Sequence, residues 1–110
     1  MKIKHISELS VTATSHGCGD KRVLLSKGET DTALTQIAVT RLKVGDSVAA
    51  HSHATMEECF IVRNEEIFIT VDGVEVRCRK DDCLHIRAGE SHSVLAVTDC
   101  ELLTIGCAVK

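Results

Sequence analysis

Two histidines and a glutamate in one short stretch have the residue types and spacing of a metal site. His51 and His53 are two residues apart, and Glu58 follows His53 by five residues. Side chains in an extended segment repeat with period two, so both imidazoles would lie on one face. Imidazole nitrogens and carboxylate oxygens are ligands of first-row transition metals. The stretch therefore predicts a metal site, with Glu57 as the alternative carboxylate.

A further histidine, His92, stands in a separate segment that contains Gly89. If this segment folds beside the first, the ligand set becomes three imidazoles and one carboxylate. One divalent transition metal would suit this set: Fe, Mn, Ni, Co, Cu or Zn, among which the ligand types do not choose. Four protein ligands leave two positions open on an octahedral metal, whereas a tetrahedral zinc would be closed and structural.

The two segments resemble the sequence motifs of the cupin family. Gly45, His51, His53 and Glu58 match the first motif, over residues 45–65, and Gly89 and His92 match the second, over residues 81–96. Glu58 fits the longer spacer of the first motif and is followed by an apolar strand, whereas Glu57 fits the shorter spacer. The resemblance implies an all-β fold, a jelly-roll β-barrel or double-stranded β-helix. It also implies that the metal ligands are His51, His53, Glu58 and His92.

The sequence departs from the cupin motifs at four positions. The closing glycine of the first motif is Glu65, and the glycine, proline and final asparagine of the second are Asp81, Arg87 and Ala96. Glycine at such turns supplies a positive φ angle. We expect Asn64 to take this role in the first motif, because Asn tolerates the left-handed region.

Hydrophobic alternation dominates after residue 22, and no segment sustains the 3.6-residue period of a helix. Turn signals recur about every 8–12 residues, which is typical of a sandwich or barrel. We expect residues 58–63 and 67–71 to pair as a hairpin around Asn64, and Asp72-Gly73 to form a second, tight hairpin. Residues 1–110 are predicted to form a single domain, with residues 1–20 as an N-terminal arm.

Composition and charge argue against several classes of partner. The net charge is −3, from 13 basic and 16 acidic residues without a basic cluster, so nucleic-acid binding is not expected. No apolar run is long enough for a membrane span, and the first residues are too polar for a signal peptide. We therefore expect a cytoplasmic protein whose six cysteines are free thiols, with Cys18 the most exposed of them.

Four residues are weaker candidates for binding a small molecule: Gln36, Phe60, His85 and Arg87. Arg87 could hold a substrate carboxylate through its planar guanidinium group, and His85 could act in acid–base chemistry or support a ligand. The plainer alternative places both at the rim of the barrel without a role. Since Phe60 and Phe68 are the only aromatic residues, stacking is disfavoured, and carboxylates, keto acids or small sugars are the expected ligands.

The resemblance to cupins implies a metal-dependent enzyme of the oxygenase or isomerase/epimerase type that acts on a small polar metabolite. Two alternatives stay open: a metal-bearing module that binds or senses a small ligand without turnover, and a structural metal beside an idle cavity. Because small cupins usually pair, a homodimer is also expected. The apolar residues of the arm, Ile3, Ile6, Leu9 and Val11, would pack against the partner.

Overall fold

The computed structural model describes residues 1–110 and confirms the all-β prediction. Ten strands are present: β1 (Thr12–Ala13), β2 (Asp20–Ser26), β3 (Leu34–Leu42), β4 (Ser47–His51), β5 (Met56–Asn64), β6 (Glu66–Val71), β7 (Val74–Arg79), β8 (Cys83–Ile86), β9 (His92–Leu95) and β10 (Cys100–Ala108). The only helical elements are two single 3-10 turns, Ile6–Glu8 and Lys27–Glu29. Neither turn is long and apolar enough to cross a membrane.

The strands form two antiparallel sheets that face each other. The larger sheet has the order β1-β2-β3-β10-β5-β8, and the smaller has the order β4-β9-β6-β7. From β3 onwards the chain crosses repeatedly from one sheet to the other, so neighbours within a sheet are mostly distant in sequence. This is the predicted jelly-roll arrangement, and it brings the two histidine-containing segments together.

The core lies between the two sheets and consists mainly of aliphatic side chains. Along β5 the buried residues alternate as Glu58, Phe60 and Val62, so this strand presents one face to the interior. Ile67 and Ile69 face them from β6 and are completely buried. The same period of two that buries the core therefore points the Glu58 carboxylate inwards.

The predicted hairpin around Asn64 is wrong, whereas the one at Asp72-Gly73 is confirmed. Strand β5 pairs with β10 and β8, while β6 pairs with β7 and β9 in the other sheet. The turn at residue 65 thus carries the chain across the barrel, which local sequence signals do not distinguish from a hairpin. At the other turn, Asp72 and Gly73 both have positive φ, 46° and 81°, as a type I′ hairpin requires.

The left-handed residue of the first motif is Glu65 itself, with φ 56°, so the expectation for Asn64 is also wrong. Asn64 instead accepts a hydrogen bond from the backbone N–H of Glu101 through its side-chain oxygen, at 2.8 Å. The Glu65 carbonyl accepts from the N–H of Lys80 at 2.9 Å, and Asp81 is likewise left-handed, with φ 73°. Glu65 and Asp81 therefore adopt the left-handed conformation that glycine adopts at these motif positions.

The N-terminal arm is attached to its own barrel by the pairing of β1 with β2 and, nearer the N-terminus, by Lys4. Lys4 Nζ donates to the carbonyl of Leu24 at 2.7 Å and to Glu29 Oε2 at 2.6 Å. The other oxygen of Glu29 accepts from the backbone N–H and the hydroxyl of Ser26, both at 3.1 Å. Of the apolar arm residues, Ile3 and Val11 are exposed, whereas Ile6 and Leu9 are half-buried.

Replacing Glu65 by glycine should stabilise the fold. A left-handed backbone strains a residue that has a Cβ atom, and glycine removes this strain at the expense of a more flexible unfolded chain. We expect the free energy of unfolding to rise by about 0.5–1 kcal/mol in Glu65→Gly, as measured by urea denaturation. The matched control is Glu75→Gly on strand β7, which should lower stability by a similar amount. A loss of stability in both variants would contradict the assignment of strain to Glu65.

Acid should weaken the contact between Lys4 and Glu29. The hydrogen bond from Lys4, supported by those from Ser26, lowers the pKa of Glu29 from its ordinary 4.5 to about 2. A carboxyl group with a lowered folded-state pKa stabilises the fold fully above pH 4.5, and this contribution is lost as the pH falls from 4.5 towards 2. By NMR we expect Glu29 to titrate near pH 2. In Lys4→Met it should titrate at a distinctly higher pH; an unchanged midpoint would show that Lys4 does not hold the arm.

Candidate metal centre

A cavity of about 180 Å³ lies between the two sheets and opens to solvent. Its wall includes the four predicted ligands, His51, His53, Glu58 and His92. This volume is below the range that accommodates a drug-sized molecule, so the cavity has room only for a small one. A more open groove near Arg41 contains no histidine and is not a candidate for the same chemistry.

Three imidazoles converge at one point of this cavity. The ligating nitrogens of His51, His53 and His92 all lie within 4.8 Å of one another. His51 ends strand β4 and stands directly opposite His92, the first residue of β9. Between the pairs Val48–Val94 and His51–His92, strand β4 contains one extra residue, a bulge of the kind that redirects side chains near functional sites. His53 follows the strand in the next loop.

The structure brings Glu58, and not Glu57, to the imidazoles. Glu58 Oε1 lies 3.0 Å from His53 Nε2 and 3.5 Å from His92 Nε2. Glu57 points to the opposite face of strand β5, where its Oε1 lies 2.5 Å from Nε2 of His85. Adjacent residues in a strand point in opposite directions, which leaves one of the two carboxylates inside the barrel.

Backbone carbonyls orient two of the imidazoles. Nδ1 of His51 lies 2.9 Å from the carbonyl oxygen of Ala49, and Nδ1 of His92 lies 3.2 Å from that of Glu90. A carbonyl accepts only, so each Nδ1 carries the proton when the ring is neutral, and the Nε2 lone pair faces the cavity. This arrangement is typical of histidines that bind metals.

The environment of His92 Nε2 fits a metal ion. His92 is 1% exposed, and its Nε2 is buried without a hydrogen-bond partner. The 3.5 Å contact with Glu58 is too long for a well-formed hydrogen bond, so the attraction between the two groups is electrostatic. A buried nitrogen without a partner is unfavourable. A cation between the three imidazoles and Glu58 would satisfy it.

The charges of the site are coupled. Burial raises the pKa of Glu58, but the contact with His92 and the nearby His53 lower it more, so the net pKa is below the ordinary value. The same contact with Glu58 raises the pKa of His92, and burial opposes that shift only in part. Glu58 is therefore ionised around neutral pH, which is the form that coordinates a cation.

Two of the four weaker substrate candidates line the cavity and two do not. Gln36 and Phe60 belong to its wall. His85 is exposed on the outer face of β8 and pairs with Glu57, and Arg87 is exposed and outside the lining. Both were expected near the mouth of the barrel, but the inward positions of this segment are taken by Leu84 and Ile86.

Two other lining residues, His16 and Lys21, had no role in the sequence interpretation. The His16 ring lies 4.7 Å from that of His51, between centroids, in the part of the arm between β1 and β2. Burial lowers the pKa of His16, and the neighbouring His51 lowers it further. No local motif marks His16, since only the folded arm brings it to the other histidines.

The comparisons with known proteins agree with this fold. The family model described as the cupin domain matches residues 38–106, more than half of the chain. No curated protein matches the sequence significantly.

Several solved structures are similar to this one over nearly the whole chain. A predicted oxalate decarboxylase from Thermotoga maritima superposes with a TM-score of 0.90 at 25% identity, covering 98% of this chain and 100% of the other. An ectoine synthase from P. lautus has a TM-score of 0.83 at 17% identity, covering 97% and 78%. A polyketide cyclase from Streptomyces resistomycificus has a TM-score of 0.82 at 13% identity, covering 100% and 80%. The last two share the fold alone.

Substitution of the two adjacent glutamates should separate their roles. We expect Glu58→Ala to lose bound metal and Glu57→Ala to retain it, because only Glu58 faces the imidazoles. Elemental analysis of both purified variants, beside wild type and His51→Ala/His53→Ala, measures this. A Glu57→Ala variant that loses metal while Glu58→Ala keeps it would reverse the ligand assignment. Circular dichroism confirms that each variant is folded.

Proposed function

This chain belongs to the cupin domain family, and on that premise we propose that it is a metal-dependent enzyme acting on a small polar metabolite. In this proposal His51, His53, Glu58 and His92 bind one divalent transition metal. The reaction is of the oxygenase or isomerase/epimerase type. When bound, the metal supplies a Lewis acid for a substrate oxygen.

One observation carries the proposal: a fully buried imidazole nitrogen, on His92, faces an ionised carboxylate and two further imidazoles at the wall of a solvent-connected cavity. A purely structural role would not require the cavity beside the ligands. The protein's own groups orient the imidazoles through the Ala49 and Glu90 carbonyls and limit the space for substrate. The similarity to the predicted oxalate decarboxylase supports a carboxylate among the possible substrates.

A second candidate function is a metal-bearing module that binds a small ligand without turnover. The placement of His85 and Arg87 outside the cavity favours it, because these were the candidates for acid–base chemistry and substrate binding. Among the lining residues, His16 is the one imidazole beyond the proposed ligands that could move a proton. The enzyme would turn over its ligand and the binding module would not, but both would use the same four metal ligands.

The domain organisation, location and oligomeric state that we propose are those expected from the sequence. We infer a single domain over residues 1–110, a cytoplasmic location and a homodimer. The expectation that Cys18 is the most exposed thiol is wrong: Cys18 is half-buried, whereas Cys83 and Cys107 are exposed. Apolar residues on the outer face of the larger sheet, among them Ile61 and Ile105, are half-buried and available to a second copy.

Metal-dependent turnover tests the enzyme proposal. The protein is loaded with Fe(II), and oxygen uptake is followed with a panel of short carboxylates, keto acids and sugars. A second series, anaerobic and with Mn(II), Ni(II) or Zn(II), follows isomerisation of the same panel by proton NMR. We expect turnover in one series for wild type and none for His51→Ala/His53→Ala, because the double variant lacks two proposed ligands.

Other outcomes choose between the alternatives. Absence of turnover in both series, together with ligand binding by calorimetry, would replace the enzyme by the binding module. If no ligand binds and His92→Ala lowers only the melting temperature, the metal is structural.

A further inference from the structure

One cation lines the cavity and has no partner in the protein. Lys21 lies on β2 directly opposite Thr40 of β3, and both belong to the cavity wall. Among the lining residues it is the only lysine or arginine. Lys21 is half-buried, and its side chain forms part of the cavity wall.

Three exposed arginines of the barrel pair with acidic residues. Arg41 and Arg63 pair with Glu101, and Arg77 pairs with Glu66. Lys21 forms no ion pair, and its ammonium group donates no hydrogen bond to the protein. Its ammonium group is therefore available to pair with an anion that enters the cavity.

The charges in the cavity wall favour an anionic ligand. Glu58 is the only carboxylate in the wall. A divalent metal held by neutral imidazoles and Glu58 keeps one uncompensated positive charge, and Lys21 adds another. A neutral ligand would leave both uncompensated in a partly closed space, where electrostatic interactions are stronger than in water.

The cavity suits a carboxylate better than a phosphate. A phosphate group carries almost two negative charges and is usually held by arginine or by several backbone N–H groups at a helix terminus. The lining contains no arginine, and the barrel has no α-helix. Gln36, Thr40 and Thr104 also line the cavity, and their side chains make no hydrogen bond with the protein. They supply neutral donors and acceptors for a small polar body.

We propose that Lys21 is the residue that selects the ligand of this cavity, and that the ligand is a short-chain carboxylate with a second oxygen. Its carboxylate pairs with the Lys21 ammonium group, and its second oxygen faces the imidazoles and Glu58. This inference rests on the proposed function for the metal, and it narrows the range of metabolites to anions. It also assigns to Lys21 the role that the sequence interpretation gave to Arg87.

Calorimetric titration with a matched pair of probes tests the inference. Pyruvate carries the carboxylate, methyl pyruvate is its neutral ester, and inorganic phosphate represents the other class of anion. Each is titrated at low salt into wild type, Lys21→Met, Lys21→Arg and Lys27→Met, both loaded with Zn(II) and metal-free. Lys27 is exposed and outside the cavity, so Lys27→Met controls for the loss of one positive charge. Elemental analysis gives the metal content of every sample.

We expect wild type to bind pyruvate more tightly than methyl pyruvate or phosphate. Lys21→Met should raise the Kd for pyruvate about 10-fold or more and remove the preference over the ester, because a charge-assisted contact is lost. Lys21→Arg should restore most of the affinity, and Lys27→Met should behave as wild type. Metal content should be equal in all four proteins.

Different results would contradict the role of Lys21 and the metal proposal. If Lys21→Met holds metal and binds pyruvate as wild type does, the role of Lys21 is wrong while the metal centre stands. If wild type binds phosphate best, or does not bind pyruvate at all, the carboxylate assignment is wrong. If wild type takes up no Zn(II), the metal proposal fails, and the metal-free titrations alone then decide whether Lys21 binds the anion.

Discussion

The rest of the structure depends on one buried contact, between the Glu58 carboxylate and the imidazole of His92. Each group belongs to a different sheet, and each is unfavourable in an apolar interior without a compensating charge. The contact therefore requires both sheets to close on the same point. The direct pairing of His51 with His92 fixes one side of this point, and the inward face of β5 fixes the other.

Two turns of the barrel have left-handed backbone conformations at residues other than glycine. Glu65 and Asp81 adopt left-handed conformations at the ends of strands that enclose the barrel. Glu65 lies where the chain leaves the larger sheet for the smaller one, and its carbonyl is hydrogen-bonded to the N–H of Lys80. The hydrogen bonds around this crossing determine its geometry, so a residue with a Cβ atom is tolerated at some expense in stability.

The inner faces of the two sheets enclose both the hydrophobic core and the cavity. At one end the space is filled by aliphatic side chains such as Val62, Ile67 and Ile69. At the other end the imidazoles, Glu58 and Lys21 line a small volume whose wall also includes apolar side chains such as Phe60, Val94 and Leu102. Because the chain contains only two phenylalanines, recognition of a ligand in this volume depends on charge and hydrogen bonding, and aromatic stacking contributes little.

The sequence by itself determined the all-β class, the tight turn at Asp72-Gly73 and the identity of the clustered histidines. Each of these follows from a pattern that is local along the chain: alternation with period two, a turn dipeptide, or short spacings within a motif. Only the tertiary structure decided which carboxylate faces inwards, that the chain crosses between sheets at Glu65, and that His16 and Lys21 join the cavity while His85 and Arg87 do not. These features depend on strand register and on which sheet each strand enters. A shift of one residue reverses every side chain of a strand, and pairing between distant strands leaves no local trace in the sequence.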